Sequence, residues 1–473
     1  MDFRRRVKCM TRLLSLLIAI SFSLSATAAD KPNILVIVAD DLGYADIGVQ
    51  GGKAVPTPNI DALAASGVRC TSGYVTSPYC SPSRAGFLTG RYQTRFGHEF
   101  NPHVGEEAKL GLPLDQRTIA DHLRAAGYAT SLIGKWHQGF DHAHHPQSRG
   151  FDDYFGFLVG GHNFLLHKDA KPVFGSAHSH DLIYRGREVQ KLDGYTTDLF
   201  TDEALGFVDR HGEKPWFLYL AYNAVHTPLE IIDKHKDRIP ADVIDPARRG
   251  YLSLLLGLDD AIGRITAHLE MAGRSKDTLI FFFSDNGGSG RKPYFAYNTG
   301  VNSPLRGDKG QTLEGGIRVP FFVSWPGKVP AGKVYDHPVI TLDVLPTALE
   351  LAGAPSPANL DGVNLLPFLR GETKMPPHDS LYWRFGPQQA VRRGQWKLVD
   401  WRDHDAKKNS GWQLFDLSSD SGEERDQAGK QPELVAQLSR DWEQWNAKNI
   451  EPRWHGSPTE DPTAPPRPAT KKK

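Results

Sequence analysis

Two pairs of neighbouring polar residues have the types that bind hard metal ions. Asp40 and Asp41 follow one apolar run, and Asp285 and Asn286 follow a later one. All four side chains offer oxygen ligands, which favour calcium or magnesium over zinc. The alternative is that they are ordinary turn and helix-cap residues, because Asp and Asn often take those positions.

Residues 80–84, Cys-Ser-Pro-Ser-Arg, form the most distinctive reactive motif in the chain. Ser81 or Cys80 is predicted to cap a helix that begins at Pro82. Cys80 would then lie at the positive end of the helix, where thiolates and bound anions are stabilised. Two alternatives remain, namely that Cys80 is a small buried hydrophobic residue or that it forms a disulfide with Cys70.

Four apolar runs of strand length end next to polar groups of this kind. They are residues 33–39, 129–133, 216–221 and 279–283. Helical patterns separate the runs, which predicts a mostly parallel sheet covered by helices on both faces. Because ligands bind at the carboxyl ends of such strands, we expect one shared site at that edge. The polar groups at these four ends are Asp40, Asp41, Lys135, His137, Asn223, His226, Asp285 and Asn286.

The pattern changes after about residue 371. Short alternating strands are predicted at residues 381–384, 389–393, 396–401 and 412–416, followed by a helix at 432–448. This order is typical of a small antiparallel α+β subdomain. We therefore expect a main α/β domain over residues 29–371, a C-terminal subdomain over 372–450 and a disordered, Pro-rich tail over 451–473.

Composition and the first residues exclude several classes of protein. The chain has 473 residues and a net charge of +1, which argues against charge-driven binding to nucleic acid. A basic start, a short apolar run and Ala-Thr-Ala at 26–28 predict a signal peptide over residues 1–28, with an uncleaved anchor as the alternative. The expected product is exported, periplasmic or secreted, without a stable membrane anchor and too poor in cysteine for a disulfide scaffold.

Residues 80–91 resemble the signature of the type I sulfatases, a family of the alkaline phosphatase superfamily. The similarity continues through residues 40–43, 134–137, 226–228, 284–287, 307–310 and 314–320. The resemblance implies an alkaline-phosphatase-like α/β fold, in which helices sandwich a mostly parallel sheet, with a small antiparallel C-terminal subdomain. It also implies hydrolysis of a sulfate ester, either of a sulfated carbohydrate or of a small molecule.

The resemblance implies that a maturation enzyme converts Cys80 to Cα-formylglycine. The hydrate of this aldehyde has two hydroxyls on one carbon. One hydroxyl attacks sulfur to form a sulfo-enzyme intermediate, and deprotonation of the other then expels sulfate, which a thiol cannot do. The implied calcium would lower the pKa of the attacking hydroxyl and polarise the sulfate. Its implied ligands are Asp40, Asp41, Asp285, Asn286 and the modified Cys80.

The resemblance also implies roles for the cationic side chains. Arg84 would support the hydrate and the metal site. Lys135 and Lys309 would hold the sulfate oxygens. His137 would act as the base for the second hydroxyl, and His226 as the acid at the leaving alcohol, either alone or together with Lys309.

One segment departs from the family pattern. Several members carry a sulfate-contacting Ser where this chain has Gly-Gly-His-Asn at residues 160–163. His162 is therefore the candidate contact to substrate or sulfate, with a structural role as the alternative. A second His-rich stretch, containing His142, His144 and His145, is interpreted as a solvated loop, with a place in the pocket lining as the alternative.

Two other functions remain as alternatives. The first is a phosphate or phosphonate ester hydrolase of the same superfamily, although such enzymes usually have metal sites richer in His and Asp. The second is an inactive, carbohydrate-binding relative, which the presence of every expected catalytic residue type disfavours.

Overall fold

The computed structural model describes residues 31–102, 110–169, 182–212, 214–290, 298–403 and 408–456. The signal peptide predicted over residues 1–28 lies outside these ranges, as do residues 457–473 of the predicted tail. Within these ranges no helix is long and apolar enough to cross a lipid bilayer. The predicted main domain and C-terminal subdomain lie in one compact unit that starts at Pro32.

A ten-stranded sheet forms the centre of this unit, with the strand order β13-β2-β12-β11-β1-β10-β4-β5-β7-β8. The five inner strands β11, β1, β10, β4 and β5 run parallel, while β12 and β7 are antiparallel to their inner neighbours. The predicted mostly parallel architecture is therefore confirmed. In chain order the strands are β1 (Asn33–Ala39), β2 (Val68–Cys70), β3 (Gly73–Tyr74), β4 (Ala129–Lys135), β5 (Asp153–Phe157), β6 (Leu165–Leu166), β7 (Ile183–Arg185), β8 (Glu188–Gln190), β9 (Gly194–Tyr195), β10 (Trp216–Ala221), β11 (Thr278–Ser284), β12 (Phe321–Ser324), β13 (Lys333–Tyr335), β14 (Val339–Ile340), β15 (Ser380–Phe385), β16 (Gln388–Arg393), β17 (Trp396–Asp400) and β18 (Gln413–Asp416).

Helices cover both faces of the sheet. Along β1, Val36 packs into one apolar core and Leu35 into the other, because successive side chains of a strand point to opposite faces. Helices α2, α3 and α7 contribute to the first core, and α1, α4 and α5 to the second. The helices are α1 (Pro58–Ala65), α2 (Cys80–Thr89), α3 (Ile119–Ala125), α4 (Thr196–Arg210), α5 (Pro246–Met271), α6 (Glu314–Ile317), α7 (Val344–Ala352), α8 (Leu366–Arg370) and α9 (Pro432–Asn446).

The last part of the chain forms the predicted antiparallel sheet, in the order β15-β16-β17-β18. Its core is continuous with the first core of the main sheet. Trp383 on β15 is fully buried, and its Nε1 donates to the carbonyl oxygen of Val75 at 2.7 Å. Trp442 on α9 donates to the carbonyl oxygen of Trp383 at 2.9 Å. These bonds join β15 and α9 to the segment that precedes α2.

Helix α2 begins two residues earlier than predicted, at Cys80. Tyr79 is extended and occupies the N-cap position. Ser81 does not cap the helix because its hydroxyl donates to the carbonyl oxygen of His137 at 2.6 Å and lies 2.7 Å from His98 Nε2. Cys80 still lies in the first turn, at the positive end of the helix dipole.

The packed chain extends beyond residue 450, where the disordered tail was predicted to begin. The backbone N–H of Arg453 donates to the carbonyl oxygen of Gly97 at 2.9 Å. Trp454 is buried, and its Nε1 donates to the carbonyl oxygen of Phe100 at 3.2 Å. The prediction of disorder is therefore wrong for residues 451–456, because the buried indole holds this segment in place.

An ion pair between Asp343 and His378, which lies two residues before β15, makes the stability of the fold depend on pH. His378 Nε2 lies 2.9 Å from Asp343 Oδ1. Burial alone would lower the pKa of His378, but the carboxylate of Asp343 outweighs it and raises this pKa above its usual 6.5. The contribution to stability is therefore complete below pH 6.5 and is lost as the pH rises through the raised pKa.

We expect His378→Gln to remove this part of the pH dependence. The free energy of unfolding is measured by urea denaturation at several pH values from about 6 to 8. As the pH rises, it should fall less steeply in the variant than in the wild type. If the free energy of unfolding depended on pH equally in both proteins, the His378–Asp343 pair would not be the cause.

Candidate active site

Polar side chains converge at the carboxyl edge of the inner strands. Asp40 and Asp41 follow β1, and Asp285 and Asn286 follow β11, with the last residues of the two strands paired in register. Lys135 ends β4. The prediction that these strand ends share one edge is confirmed, since β1, β11 and β4 are parallel.

Helix α2 presents Cys80 and Arg84 to this edge. The Cys80 sulfur and one carboxylate oxygen from each of Asp40 and Asp285 lie within 4.8 Å of one another. Arg84, one turn further along, donates from Nε to Asp285 Oδ2 at 2.9 Å. Cys80 and Cys70 are both free and buried, so the disulfide alternative is wrong.

The four predicted metal ligands form one buried cluster. Asn286 Nδ2 donates to Asp41 Oδ1 at 2.7 Å, and the backbone N–H of Asp41 donates to Asp285 Oδ1 at 3.2 Å. Asp40 Oδ1 and Asn286 Oδ1 are buried and have no hydrogen-bond partner among the described residues. Buried oxygens without a hydrogen bond are costly, and a hard cation would satisfy both of these. The donor set therefore fits calcium.

Two buried lysines reach the same carboxylates. Lys135 Nζ lies 2.6 Å from Asp40 Oδ2, and Lys309 Nζ lies 2.8 Å from Asp41 Oδ2. Burial by itself would raise the pKa of Asp40, but Lys135, together with His226 and Arg84, outweighs it and lowers this pKa. Asp40 is therefore ionised at neutral pH.

Acidic and basic side chains are equal in number at the cluster, and burial together with the charge of Asp40 raises the pKa of Asp285. Three carboxylates face three cationic side chains, namely Asp40, Asp41 and Asp285 against Arg84, Lys135 and Lys309. A bound divalent cation would make the cluster net positive and draw an anionic substrate into it. Because all six side chains are buried, solvent screens this attraction only weakly.

The unmodified thiol of Cys80 is a poor nucleophile in this setting. Burial raises its pKa, and the nearby Lys135 and Lys309 offset only part of that effect. The thiol is therefore protonated at neutral pH, whereas nucleophilic attack requires the thiolate.

Two histidines, His226 and His137, face the cluster. His226 Nδ1 lies 2.7 Å from the carbonyl oxygen of Thr227, so this nitrogen carries a proton. Its Nε2 points towards Asp41, 3.6 Å from Oδ2. Burial, followed by the charge of Lys135, lowers the pKa of His137 well below 6.5, which keeps this imidazole neutral and able to accept a proton.

Two glycines allow these imidazoles to occupy their places. A Cβ atom on Gly160 would lie 2.7 Å from Cε1 of His137, and one on Gly161 would lie 3.3 Å from Cε1 of His226. Any larger residue at position 160 would displace the His137 ring. His162, the next residue, is buried against Phe157, with its ring centroid 5.0 Å away. The structure thus places His162 beside this pair of glycines.

The His-rich stretch after His137 is more buried than predicted. His144 Nδ1 lies 2.6 Å from Asp141 Oδ1, and His145 Nε2 lies 3.1 Å from the carbonyl oxygen of Gly186. The prediction of a solvated loop is wrong for these two residues, because their hydrogen bonds hold them inside. It is correct for His142, which is exposed.

Sequence reasoning missed two residues that support the cluster. Tyr219 accepts a hydrogen bond from Arg84 Nη1 at 3.0 Å. Asn298 Nδ2 donates to the carbonyl oxygen of Asp41 at 2.9 Å and helps to hold this residue in its left-handed conformation, with φ of 60°. Tyr219 is an ordinary member of an apolar strand and Asn298 an ordinary loop residue, so neither gave a signal.

Comparison with known proteins gives consistent matches over most of the chain. Residues 32–354 match the family described as Sulfatase, and residues 307–448 match N-sulphoglucosamine sulphohydrolase, C-terminal. The chain is 34% identical to N-acetylgalactosamine-6-sulfatase of Mus musculus, over 84% of this chain and 76% of that protein. It is 32% identical to arylsulfatase J of Mus musculus, over 92% of this chain and 79% of that protein.

A solved structure agrees with these matches. Ps i-CgsB in complex with k-i-k-neocarrahexaose superposes with a TM-score of 0.81 and 38% sequence identity, covering 90% of this chain and 94% of that one. The chain therefore belongs to the sulfatase family of the alkaline phosphatase superfamily and is a sulfuric ester hydrolase.

Proposed function

We propose that the protein is a calcium-dependent sulfatase that acts on a sulfated carbohydrate through a formylglycine made from Cys80. The observation that carries this proposal is the convergence of the first residue of α2 with buried oxygen ligands and two buried lysines. We also propose that residues 1–28 direct export and are then removed, and that the main and C-terminal domains meet near residue 371.

The burial of Cys80 supports modification before folding. Its side chain is 2% exposed and lies at the start of a helix that is buried along its whole length. A maturation enzyme would have no access to the thiol in the folded protein. The motif at residues 80–84 would therefore be read in the unfolded chain, before α2 forms.

The proposed metal ligands are Asp40, Asp41, Asp285, Asn286 and the modified residue at position 80. Bound calcium would supply positive charge that polarises the sulfate group. Arg84 keeps Asp285 in place through a hydrogen bond from Nε to Oδ2 at 2.9 Å and an ion pair between Nη2 and the same oxygen at 2.8 Å. Because Arg84 also bonds Tyr219, its guanidinium is held from two directions.

The positions of the side chains support the remaining roles that we propose. Lys135 and Lys309 hold the sulfate oxygens, since both ammonium groups are fixed at the cluster. His137 is neutral and accepts the proton of the hydroxyl whose ionisation releases sulfate. His226 carries a proton on Nδ1, and burial lowers its pKa, so its Nε2 would have to take up a proton before passing it to the leaving alcohol.

The proposed carbohydrate substrate is supported by the relatives. One is named for N-acetylgalactosamine 6-sulfate chemistry, and another was solved in complex with k-i-k-neocarrahexaose. Gly160 and Gly161 lie against His137 and His226, and the residue that follows them, His162, is the candidate contact to the substrate or its sulfate group.

Turnover of an aryl sulfate and of the matching aryl phosphate tests the proposal. In protein produced with a formylglycine-generating enzyme, kcat/KM should favour the sulfate by about 10²-fold or more. Peptide mass spectrometry should show the aldehyde at position 80. A preference for the phosphate would support the phosphate or phosphonate hydrolase alternative. Full conversion at position 80 without turnover of either ester would support the carbohydrate-binding alternative.

A further inference from the structure

The loop that carries Lys309 is held by the C-terminal sheet as well as by the catalytic domain. We propose that Gln388, the first residue of β16, is a positioning residue that places the Lys309 ammonium group for catalysis. This inference rests on the proposed role of Lys309 at the sulfate group.

The backbone on either side of Lys309 is anchored to the main domain. The N–H of Lys309 donates to the carbonyl oxygen of Gly288 at 3.3 Å, close to the proposed metal ligands. The N–H of Gly310 donates to the carbonyl oxygen of Pro78 at 2.9 Å, just before the segment that starts α2. These bonds tie one side of the loop to the site itself.

Gln388 holds the next peptide unit, which follows the Cα atom of Gly310. Its Nε2 donates to the carbonyl oxygen of Gly310 at 2.7 Å, and its Oε1 accepts from the backbone N–H groups of Thr312 and Arg402, both at 3.3 Å. Gln311 Nε2 donates in return to the carbonyl oxygen of Arg402 at 3.2 Å. Both ends of the buried Gln388 amide are therefore used to join the loop to the C-terminal sheet.

A second group of buried bonds fixes the loop further along. The backbone N–H of Glu314 donates to Glu423 Oε2 at 2.7 Å. Lys397 on β17 lies between these two carboxylates, 3.0 Å from Glu314 and 2.8 Å from Glu423. Residues of the C-terminal part of the chain therefore bind the loop at two points. The point bound by Gln388 is the nearer of the two to Lys309 along the chain.

This arrangement explains how a residue outside the site would affect the reaction. Lys309 Nζ is in contact with both carboxylate oxygens of Asp41, at 2.7 and 2.8 Å. A shift of the Gly310 peptide by about 1 Å would move the ammonium group relative to the sulfate, and misplacement of that size can cost about 10²-fold in rate. Gln388 itself touches no reacting atom.

A double-mutant cycle on aryl sulfate hydrolysis tests the proposal. Gln388→Met keeps the volume of the side chain but removes its hydrogen bonds. In the wild-type background it should lower kcat/KM by about 10–100-fold. In the Lys309→Ala background the same change should cost less than about threefold, because the group it positions is gone. Equal losses in both backgrounds would overturn the proposal, since a general structural defect acts regardless of Lys309.

Gln389→Met is the matched control. Gln389 is the next residue of the same strand and points to the opposite face, so kcat/KM should stay within about twofold of the wild type. If Gln388→Met fails to fold, Gln311→Met is used instead, because it removes the hydrogen bond from the loop to Arg402. Its loss of kcat/KM should depend on Lys309 in the same way. Formylglycine content at position 80 is measured for each variant, so that incomplete maturation is not counted as lost positioning.

The outcomes separate this inference from the function on which it rests. If the fully matured wild type does not turn over aryl sulfate, the proposed function fails and the role of Gln388 fails with it. If the wild type is active and the cycle shows no coupling between Gln388 and Lys309, only the positioning role fails.

Discussion

Replacing Cys80 with alanine is expected to lower kcat for an aryl sulfate by about 10⁴-fold or more, close to the limit of detection. Position 80 would supply the nucleophile, and the surrounding cluster can only bind and polarise a sulfate group. Alanine fits the buried first turn of α2 without strain, so the variant should remain folded and should still bind calcium. Steady-state turnover, together with thermal unfolding, measures both effects.

Cys70→Ala is the matched control for this experiment. Cys70 is the other free, buried cysteine of the described chain, and it lies on β2 away from the cluster. Its loss should lower stability modestly but leave kcat within about twofold of the wild type. If Cys80→Ala retained wild-type activity, a mechanism through formylglycine at position 80 would be untenable.

Removal of calcium is expected to lower kcat/KM by about 10³-fold, because a catalytic metal contributes several kcal/mol of charge stabilisation. Dialysis against EGTA should also lower the melting temperature, since a metal that binds the folded chain but not the unfolded chain stabilises the fold. Added Ca²⁺ should restore activity and melting temperature together. Calcium content measured by atomic absorption gives a readout that does not depend on catalysis.

Asn286→Leu tests the proposed calcium site directly, since it removes one proposed ligand without changing the charge of the cluster. The calcium concentration for half-maximal activity should rise by about 10²-fold. Asp46→Asn serves as the control because Asp46 is also a buried carboxylate but binds Arg248 and Tyr251 instead of the cluster. It should leave the calcium requirement unchanged. Full activity of the EGTA-treated enzyme would refute the calcium proposal.

The central part of the fold and most of the candidate site could be predicted from the sequence. Strands β1, β10 and β11 are continuous apolar runs, a pattern that requires burial on both faces and therefore a parallel sheet between helices. Parallel strands bring their carboxyl ends to one edge, so Asp40 and Asp285 had to meet there although 245 residues separate them. In these cases a local pattern was sufficient to place distant residues together.

The shortest strands of the large sheet could not be predicted in the same way. Strands β2 and β12 have only three and four residues, too few for a periodic pattern to emerge. The position of β12 beside β11, and of β2 beside β12, depends on pairing with residues far away in the chain. The burial of His145 was missed for a similar reason, because its partner, the carbonyl oxygen of Gly186, lies 41 residues away in the chain.

The sequence by itself determined the identity of the reactive groups and the edge of the sheet at which they gather, since these follow from motif chemistry and strand periodicity. Only the tertiary structure decided how those groups are held. Asn298 supports Asp41 from 257 residues away, and Gln388 reaches the Lys309 loop from the C-terminal sheet. Such contacts are single hydrogen bonds between segments that the complete fold brings together, and no repeating pattern along the chain marks the residues that make them.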